Sequence, residues 1–240
     1  MQKYRLDQHA ATLGLIGSRS QAESYIKLGK VTVNGKIETK PGFMVKDDDK
    51  IQVTAAEQYV SRAGLKLASI AQVLHLDFAG KTVLDVGSST GGFTDYALQH
   101  GAVKVFAVEV GSNQLHPSLH DDPRIELYEK TDIRNFKTTT PIDIVVADVS
   151  FVSLRELLPS VAQLCSSATQ IAVMVKPQFE ASASNLKHKG VIKNDKIRRQ
   201  ILKDFEDWSL NLFSIQNKAD SEVAGAKGNR ERFYLLKKLK

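Results

Sequence analysis

The sequence predicts an α/β fold, a doubly wound and mostly parallel sheet preceded by a small α+β domain. From residue 81 onward, short apolar runs alternate with helical patterns, as buried parallel strands and their crossover helices do. The first of these runs leads directly into a turn rich in Gly and Ser. The first 53 residues differ, because they contain two short helical patterns and a hairpin signal.

Composition limits the class of protein. The 240 residues suffice for one or two domains of roughly 100–200 residues each. With 42% hydrophobic and 25% charged residues, and no apolar run near the ~18–20 residues that cross a bilayer, we expect a water-soluble globular chain without a membrane partner. The N-terminus lacks a signal-peptide pattern, and Cys165 is the single cysteine. These features predict a cytoplasmic protein without a disulfide or a cysteine-based zinc site.

Charge is unevenly distributed along the chain. Residues 1–50 carry a net charge of +3, residues 51–186 carry −4, and residues 187–240 carry +7. Basic segments at both ends suit a nucleic-acid partner, because neutralising phosphates releases counterions. Lysine-rich faces that only keep the chain in solution are an equally good interpretation of the charge alone.

The N-terminal elements follow from local signals. Apolar residues spaced three or four apart from Leu6 predict a short amphipathic helix. Ser18 can cap a second helix over residues 19–28, which Gly29 can end. Asn34-Gly35 between β-forming residues is a strong hairpin-turn signal. A further strand is expected at residues 51–53, followed by a linker at 54–60.

The remaining elements alternate in type. The predicted strands cover residues 82–86, 103–108, 124–128, 142–147 and 170–175. The predicted helices cover residues 62–75, 93–100 and 196–212. Residues 213–216 and 232–237 are expected to form a closing strand pair.

The turn after the first of these strands, residues 85–94, predicts a ligand site. Its glycines let the backbone approach a ligand, but their spacing fits neither a dinucleotide fingerprint nor a phosphate-binding loop. Asp85 would repel a pyrophosphate, and Glu109, at the end of the next strand, can accept bonds from both hydroxyls of a ribose. This pair points to S-adenosylmethionine, with Asp132 near its adenine. The alternative is a tight structural turn with solvated carboxylates.

Two further strands end in charged residues, Asp148 and Lys176. A lysine at the end of a buried strand is costly unless it is paired, and desolvation can make it a base. The alternative is a lysine that extends its charged end to water beside a carboxylate. Histidines such as His116 and His120 have no supporting ligand pattern, so we expect no metal site.

Several segments together resemble a known family. The first part resembles the RNA-binding domain of the ribosomal protein S-four type, and the remainder resembles FtsJ-like methyltransferases. Over essentially the whole chain, the combination resembles the TlyA family of haemolysin-like ribosomal RNA 2′-O-methyltransferases. The matching segments are residues 5–7, 18–22, 29–31, 33–35, 61–67, 85–94, 145–151, 175–180 and 228–233.

The resemblance implies an RNA-binding domain and linker at residues 1–58, followed in the chain by a Rossmann-like methyltransferase domain at residues 59–240. It implies S-adenosylmethionine as cofactor, and ribosomal RNA within ribosomal subunits as partner. The implied catalytic set is Lys66, Asp148, Lys176 and Glu231. The implied cofactor contacts are Asp85, Gly87, Ser88, Gly91, Gly92, Phe93, Glu109, Asp132 and Asp148. The expected RNA contacts are Arg5, Arg19, Lys27 and Lys30.

Lys176 would take the proton of a ribose hydroxyl or stabilise the forming alkoxide, with Lys66 helping to hold the ribose. Asp148 and Glu231 would orient the two lysines. The chain departs from the family pattern at Asp132, where relatives often carry Asn, and at Glu109, where they often carry Asp. A stretch near residues 181–191 is poorer in glycine than in relatives, which puts the choice of target in doubt more than the chemistry.

Three other functions compete. A membrane-active haemolysin is disfavoured because no spanning segment or long basic amphipathic helix is present. An RNA-binding module with an inactive methyltransferase fold is disfavoured by the intact charged set. A pseudouridine synthase can carry a similar N-terminal domain, but its chemistry uses neither the Asp85 turn nor the Lys176 strand end.

Overall fold

In the computed structural model, the chain divides into two compact units, Met1–Arg62 and Ala63–Lys240. The structure describes residues 2–55, 58–181, 190–192, 194–225 and 228–239. The division by contacts lies slightly beyond residue 58, where the sequence places the end of the RNA-binding domain and its linker. The assignment of a role to each domain remains a prediction.

The first unit is a small α+β body. Its elements are β1 (Tyr4–Arg5), α1 (Leu6–Thr12), α2 (Arg19–Lys27), β2 (Val31–Val33), β3 (Lys36–Ile37), β4 (Met44–Val45) and β5 (Ile51–Val53). The strands pair as β1 with β4 and as a three-stranded sheet in the order β3-β2-β5. The predicted hairpin is confirmed, because Asn34 and Gly35 both take positive φ angles, of 51° and 79°. The short β1–β4 pair carries no sequence signal and was not predicted.

A buried carboxylate joins the two helices of this unit. Asp7 has no solvent exposure and accepts hydrogen bonds from Arg5 and Arg19. Around it the helices bury Leu6, Ala10 and Ile26. Because both guanidinium groups stay partly exposed, this ion-pair cluster also holds two cationic side chains at the surface of the unit.

The second unit is built around one seven-stranded sheet. Its elements are α3 (Arg62–Ala71, which begins at the unit boundary), β6 (Thr82–Val86), α4 (Gly92–Gln99), β7 (Lys104–Val108), a 3₁₀ turn (Pro117–Leu119), β8 (Ile125–Tyr128), β9 (Ile144–Ala147), α5 (Leu154–Leu164), β10 (Gln170–Val175), α6 (Pro177–Glu180), α7 (Asp195–Ser209), β11 (Phe213–Asp220) and β12 (Arg232–Lys238). Among the described residues, no helix is long and apolar enough to cross a membrane.

The strand order is β11-β12-β10-β9-β6-β7-β8. Strands β8, β7, β6, β9 and β10 are parallel, and β12 lies antiparallel to both β10 and β11. The chain order reverses at β6, so a crevice forms beyond the carboxyl ends of the central strands. The predicted doubly wound α/β fold is therefore confirmed. Helix α5 was not predicted, and β11 extends past the predicted residue 216.

The central strands are buried on both faces, which explains why they read as continuous apolar runs. Every residue of β9 is buried, and so are all but the first residues of β6 and β10. Helices α5 and α7 pack against this layer through buried residues such as Leu158, Val161 and Phe205. This rigid layer fixes the positions at which the strands end, and those positions carry the charged side chains described below.

Gly91, which caps the N-terminus of α4 in a left-handed conformation, gives a test of this packing. Its φ is +84°, and an added Cβ would lie 2.6 Å from Leu119 Cδ1 and 2.7 Å from Leu115 Cδ1. We expect Gly91→Ala to lower the free energy of unfolding by roughly 2–4 kcal/mol, through backbone strain and overpacking together. Chemical denaturation measures this change.

Gly80→Ala is the matched control, because Gly80 also has a positive φ but has open space around it. This variant should lose only the strain contribution, roughly 1–2 kcal/mol. Equal losses in the two variants would contradict the close packing described at Gly91.

Candidate active site

Two connected cavities lie at the carboxyl ends of the parallel strands. The larger is a cleft of about 600 Å³ lined by residues that include Glu109, Asp132 and Val149. The smaller, about 140 Å³, is lined by residues that include Asp85, Ser88 and Lys176. The residues that line both cavities are Gly87, Ser89, Asp148 and Ser150. Seven of the nine predicted cofactor contacts therefore line one continuous concave site, and Gly91 and Gly92 do not.

Gly87 lies at the junction of the two cavities. Its φ is +76°, and a Cβ there would meet Val149 Cγ1 at 3.2 Å and the Asp148 carbonyl oxygen at 3.4 Å. A side chain would thus be strained and would crowd the passage between the cavities. The close approach of the β6 and β9 ends requires glycine at this position.

Asp85 presents an unpaired carboxylate oxygen to the smaller cavity. Its Oδ2 accepts hydrogen bonds from Thr94 N at 3.0 Å and Thr94 Oγ1 at 2.7 Å. Its Oδ1 is buried without a hydrogen-bond partner among the described residues, and so is the Ser88 hydroxyl. Burial raises the pKa of Asp85 to about 7, against the opposing effect of the Thr94 bonds. Buried polar atoms are normally paired, so these two fit a bound hydrogen-bonding or cationic group.

Glu109 is held in place by backbone groups at the floor of the larger cleft. Its Oε2 accepts from Ser89 N at 3.0 Å, and its Oε1 accepts from Gly111 N at 2.8 Å. Oε1 also accepts a long hydrogen bond from Gln114 Nε2 at 3.5 Å. Oε2 has one of its two lone pairs free for a ligand hydroxyl, and Oε1 can accept a second ligand hydroxyl if the Gln114 amide moves away. The carboxylate is thereby oriented in advance of binding.

Asp132 lines the same cleft, but its carboxylate already has a partner. Its Oδ1 accepts from Arg134 Nε at 3.0 Å, and its Oδ2 accepts from Arg134 Nη2 at 2.6 Å. These side-chain bonds lower the pKa of Asp132. The predicted contact of Asp132 with an adenine remains a prediction, and any such contact shares the carboxylate with Arg134.

The four residues of the predicted catalytic set form one connected network. Lys66 Nζ lies 2.6 Å from Glu231 Oε2 and 3.9 Å from Asp148 Oδ2. Lys176 Nζ lies 2.5 Å from Asp148 Oδ1. Lys66, Lys176 and Glu231 are all buried. With two ammonium groups and two carboxylates, the ionised network has no net charge, which makes its burial tolerable.

These four residues come from four separate elements. Lys66 lies on α3, Asp148 follows β9, Lys176 follows β10, and Glu231 precedes β12. The register of β10 and β12 pairs Val175 with Arg232, so Lys176 and Glu231 stand opposite each other just beyond that pair. The antiparallel insertion of β12 thus brings a carboxylate from the end of the chain to the strand ends.

Two residues near Lys176 were missed at the level of sequence. The Lys176 ammonium donates to Ser150 Oγ at 2.7 Å. Phe151 is 91% exposed and has a φ of +68°, which costs a non-glycine residue about 1–3 kcal/mol. Its ring centroid lies 5.2 Å from that of Phe179, whose ring faces the Lys176 ammonium. The sequence feature that could have indicated Phe151 is an aromatic residue directly after the strand-end segment 148–150.

Of the predicted cofactor contacts in the turn after β6, some line a cavity and others only pack against neighbouring side chains. Phe93 lines the smaller cavity. Gly91 instead faces Leu115 and Leu119, and Gly92 is buried at the start of α4. Neither glycine lines the two cavities, so the structure gives them packing contacts, and their predicted contact with a cofactor stays a prediction.

The four predicted RNA contacts are all exposed on the first unit. Arg5 and Arg19 are paired with Asp7, and Lys27 lies 2.5 Å from Glu23. Lys30 follows α2 in the short segment before β2. Within the described part of the chain, no group of three or more His, Cys, Asp or Glu side chains could hold a metal ion.

Comparisons with known proteins agree over nearly the whole chain. The profile of the FtsJ-like methyltransferase family matches residues 59–238, and that of the S4 domain matches residues 5–51. Hemolysin A of Brachyspira hyodysenteriae is 38% identical, with 95% of this chain and 97% of that protein covered. The 16S/23S rRNA (cytidine-2′-O)-methyltransferase TlyA of Mycobacterium tuberculosis is 36% identical, with 97% of this chain and 89% of that protein covered.

A solved structure is similar over the same length. It is that of a candidate hemolysin from Streptococcus thermophilus, which is 34% identical, with a TM-score of 0.73. The similarity covers 99% of this chain and 89% of that one. Sequence and structure comparisons therefore agree on the same two-domain relatives.

The raised pKa of Asp85 predicts how stability depends on pH. A carboxyl group whose pKa is raised to about 7 on folding binds a proton more tightly in the folded chain than in the unfolded chain. Its contribution to the free energy of unfolding therefore falls as pH rises from about 4 to 7 and is level above that. Asp85→Asn lacks this titration. We expect the difference in stability between wild type and Asp85→Asn to change in the variant's favour from pH 5 to 7, by up to about 1.4 kcal/mol per pH unit.

Urea denaturation of both proteins at pH 5, 6, 7 and 8 measures this difference. Asp85→Asn keeps an oxygen to accept the Thr94 bonds, so any constant offset between the proteins does not affect the slope. A difference that stays the same at all four pH values would contradict the raised pKa.

Proposed function

The chain belongs to the FtsJ-like methyltransferase family, among the relatives of TlyA, and we propose that it transfers a methyl group from S-adenosylmethionine to a ribose 2′-oxygen of ribosomal RNA. One observation carries the proposal. A buried and internally neutral Lys–Asp–Lys–Glu network meets a ligand-sized cleft at Asp148 and Lys176. An oxygen nucleophile and a methyl donor can therefore be aligned at one junction.

The two cavities fit the proposed cofactor in chemistry. Asp85 Oδ1 and the Ser88 hydroxyl lack partners among the described residues and suit the amino-acid end of S-adenosylmethionine. Glu109 suits the ribose hydroxyls, and the segment that contains Asp132 suits the adenine. When bound, the cofactor supplies an electrophilic methyl group on a sulfonium sulfur.

Lys176 is the residue placed to contact the attacking oxygen. Its ammonium lies in the smaller cavity beside Asp148 and Ser150. As an ammonium paired with Asp148, Lys176 would stabilise the negative charge that develops on the 2′-oxygen. To act as the base, Lys176 must first give up a proton, and Asp148 is the acceptor in contact with it. Lys66 and Glu231 help to hold the side chains of Asp148 and Lys176 in position.

Phe151 supplies a surface for the target base. Its ring is almost fully exposed, and the residue follows Ser150, which bonds to Lys176. An enzyme that modifies a nucleotide within folded RNA must expose that nucleotide, and an aromatic face stabilises the exposed base by stacking. The Phe151 ring lies 5.2 Å from the Phe179 ring, which in turn lies 5.8 Å from Lys176 Nζ.

The first unit would supply affinity for RNA. Its four exposed cationic side chains can meet phosphates, and its S4 match is consistent with this role. The direct test of the whole proposal uses purified protein, S-adenosylmethionine and isolated 30S and 50S subunits from a strain that lacks the enzyme. Mass spectrometry of the digested RNA should reveal a new 2′-O-methylated nucleoside. A methyl group on a base, or no methylation of RNA, would overturn the proposal.

Lys176 should be essential for transfer but not for binding of the cofactor. We expect Lys176→Ala to slow single-turnover methyl transfer by about 1,000-fold or more, while calorimetry shows unchanged affinity for S-adenosylmethionine. Lys176→Arg separates the two roles of the lysine, because arginine keeps the charge but cannot act as a base. Partial activity in the Arg variant indicates charge stabilisation, and its full loss indicates proton transfer. Near-normal activity in Lys176→Ala would remove this residue from the mechanism.

The exposed lysines of the first unit should control how RNA affinity depends on salt. If Lys27 and Lys30 each neutralise one phosphate, replacing both with Ala should lower the log–log salt slope by roughly two units. Filter binding to ribosomal subunits at several salt concentrations measures the slope. Lys104→Ala is the control, since Lys104 begins β7 at the end of the sheet away from the cleft. The same slope in wild type and the double variant would place the RNA surface elsewhere.

A further inference from the structure

Arg198 is a buried charge that lies outside both cavities. It projects from α7 and is only 5% exposed. A buried guanidinium is costly unless its donors are satisfied and its charge is paired. An apolar residue would serve simple packing at less cost, so the partners of Arg198 indicate what it does.

Those partners lie at the end of β11 and in the segment just before β12. Arg198 Nη2 donates to Asp220 Oδ1 at 2.7 Å, and Arg198 Nε donates to the Arg230 carbonyl oxygen at 3.0 Å. Asp220 also accepts from Arg232 Nε at 2.6 Å and Arg232 Nη2 at 3.1 Å. Burial alone would raise the pKa of Asp220, but the bonds from the two arginines hold it below its usual value. The carboxylate is therefore ionised and hydrogen-bonded to two arginines, and a third, Arg230, has its Nη2 at 3.7 Å from Asp220 Oδ2.

This cluster encloses the backbone of Glu231. The Arg230 carbonyl that Arg198 holds belongs to the peptide bond leading into Glu231. On the other side, the Arg232 side chain is held by Asp220, and Ser221 N donates to the Glu231 carbonyl at 3.1 Å. Gly225 leaves room for the carboxylate, because a Cβ there would lie 2.6 Å from Glu231 Oε1.

We propose that Arg198 is a positioning residue that holds Glu231 in contact with Lys66. It thereby keeps the four charged groups of the catalytic network at the distances that the structure shows. The inference rests on the proposed function. Within the described residues, Arg198 makes no hydrogen bond to Lys66, Asp148, Lys176 or the Glu231 carboxylate, and it acts through the backbone on both sides of Glu231. The network depends on that placement, because Lys66 lies at 2.6 Å from Glu231 but at 3.9 Å from Asp148. If Glu231 withdraws, Lys66 turns to Asp148 and competes with Lys176 for it.

This role predicts a specific kinetic pattern. The residues proposed for the cofactor lie at or after the ends of β6, β7, β8 and β9, and in the described structure Arg198 bonds instead to Asp220 and the Arg230 carbonyl. Loss of Arg198 should therefore slow methyl transfer while leaving affinity for the cofactor unchanged. A residue that only stabilised the fold would lower the amount of folded protein instead, without changing the rate per folded molecule.

The test compares Arg198→Met with Arg199→Met, its exposed neighbour on α7, whose Nε bonds only to the Asp195 carbonyl in the described structure. We expect Arg198→Met to lower the single-turnover rate per folded enzyme by about 10- to 100-fold, with KM and cofactor affinity within about twofold of wild type. Arg199→Met should match wild type. Arg198→Lys keeps the charge and one donor and should recover part of the rate. It also serves if the Met variant does not fold.

A double-mutant cycle with Glu231→Gln shows whether Arg198 acts through Glu231. Once Glu231 is replaced, Arg198→Met should slow the reaction little further. The proposal would be overturned if the rate reductions of the two single variants multiplied in the double variant, or if Arg198→Met had the wild-type rate. Crystal structures of wild type and Arg198→Met supply a readout independent of activity, in which the Lys66–Glu231 pair should open only in the variant. If wild type proves not to methylate RNA, the proposed function fails, while the crystal structures still decide whether Arg198 positions Glu231.

Discussion

Two lysines and two carboxylates share one largely buried site, and each depends on the others to be tolerated there. Removing a single partner would leave an uncompensated buried charge, which is far more costly than losing a surface ion pair. The four residues come from α3, from the ends of β9 and β10, and from the start of β12. The four charges can therefore meet only when these four elements are correctly packed. The proposed chemistry in turn requires the four charges to be in these positions.

The antiparallel strand β12 is what makes the network possible. In a sheet made only of parallel strands, every strand would have its C-terminal end at the cleft. Because β12 is antiparallel, it has its N-terminal end there instead. Because Arg232 pairs with Val175, Glu231 reaches the level of Lys176. The polar cluster of Arg198, Asp220 and Arg232 lines neither cavity and holds this end of β12. Helix α7 and strand β11 thereby contribute to the active site without lining it.

The sequence predicts the parallel strands well, because burial on both faces leaves a continuous apolar run that ends at a polar residue. Asp85, Glu109, Asp148 and Lys176 could be found in this way. Lys66 and Glu231 could not, because nothing local marks a lysine within α3 or a glutamate before β12, and only the family resemblance indicated them. The pairing of Asp132 with Arg134, the exposed ring of Phe151 and the buried Arg198 depend on side-chain geometry that spacing does not encode.

The coupling between Lys66 and Glu231 tests most directly whether this buried network is the interaction on which the site depends. The measurement is a double-mutant cycle on the free energy of unfolding with Lys66→Met, Glu231→Leu and both changes together. Each single change should destabilise the chain by roughly 3–5 kcal/mol, because it leaves one buried charge without its partner. The double variant should lose much less than the sum of the two. Losses that simply add, or single losses below about 1 kcal/mol, would contradict the account.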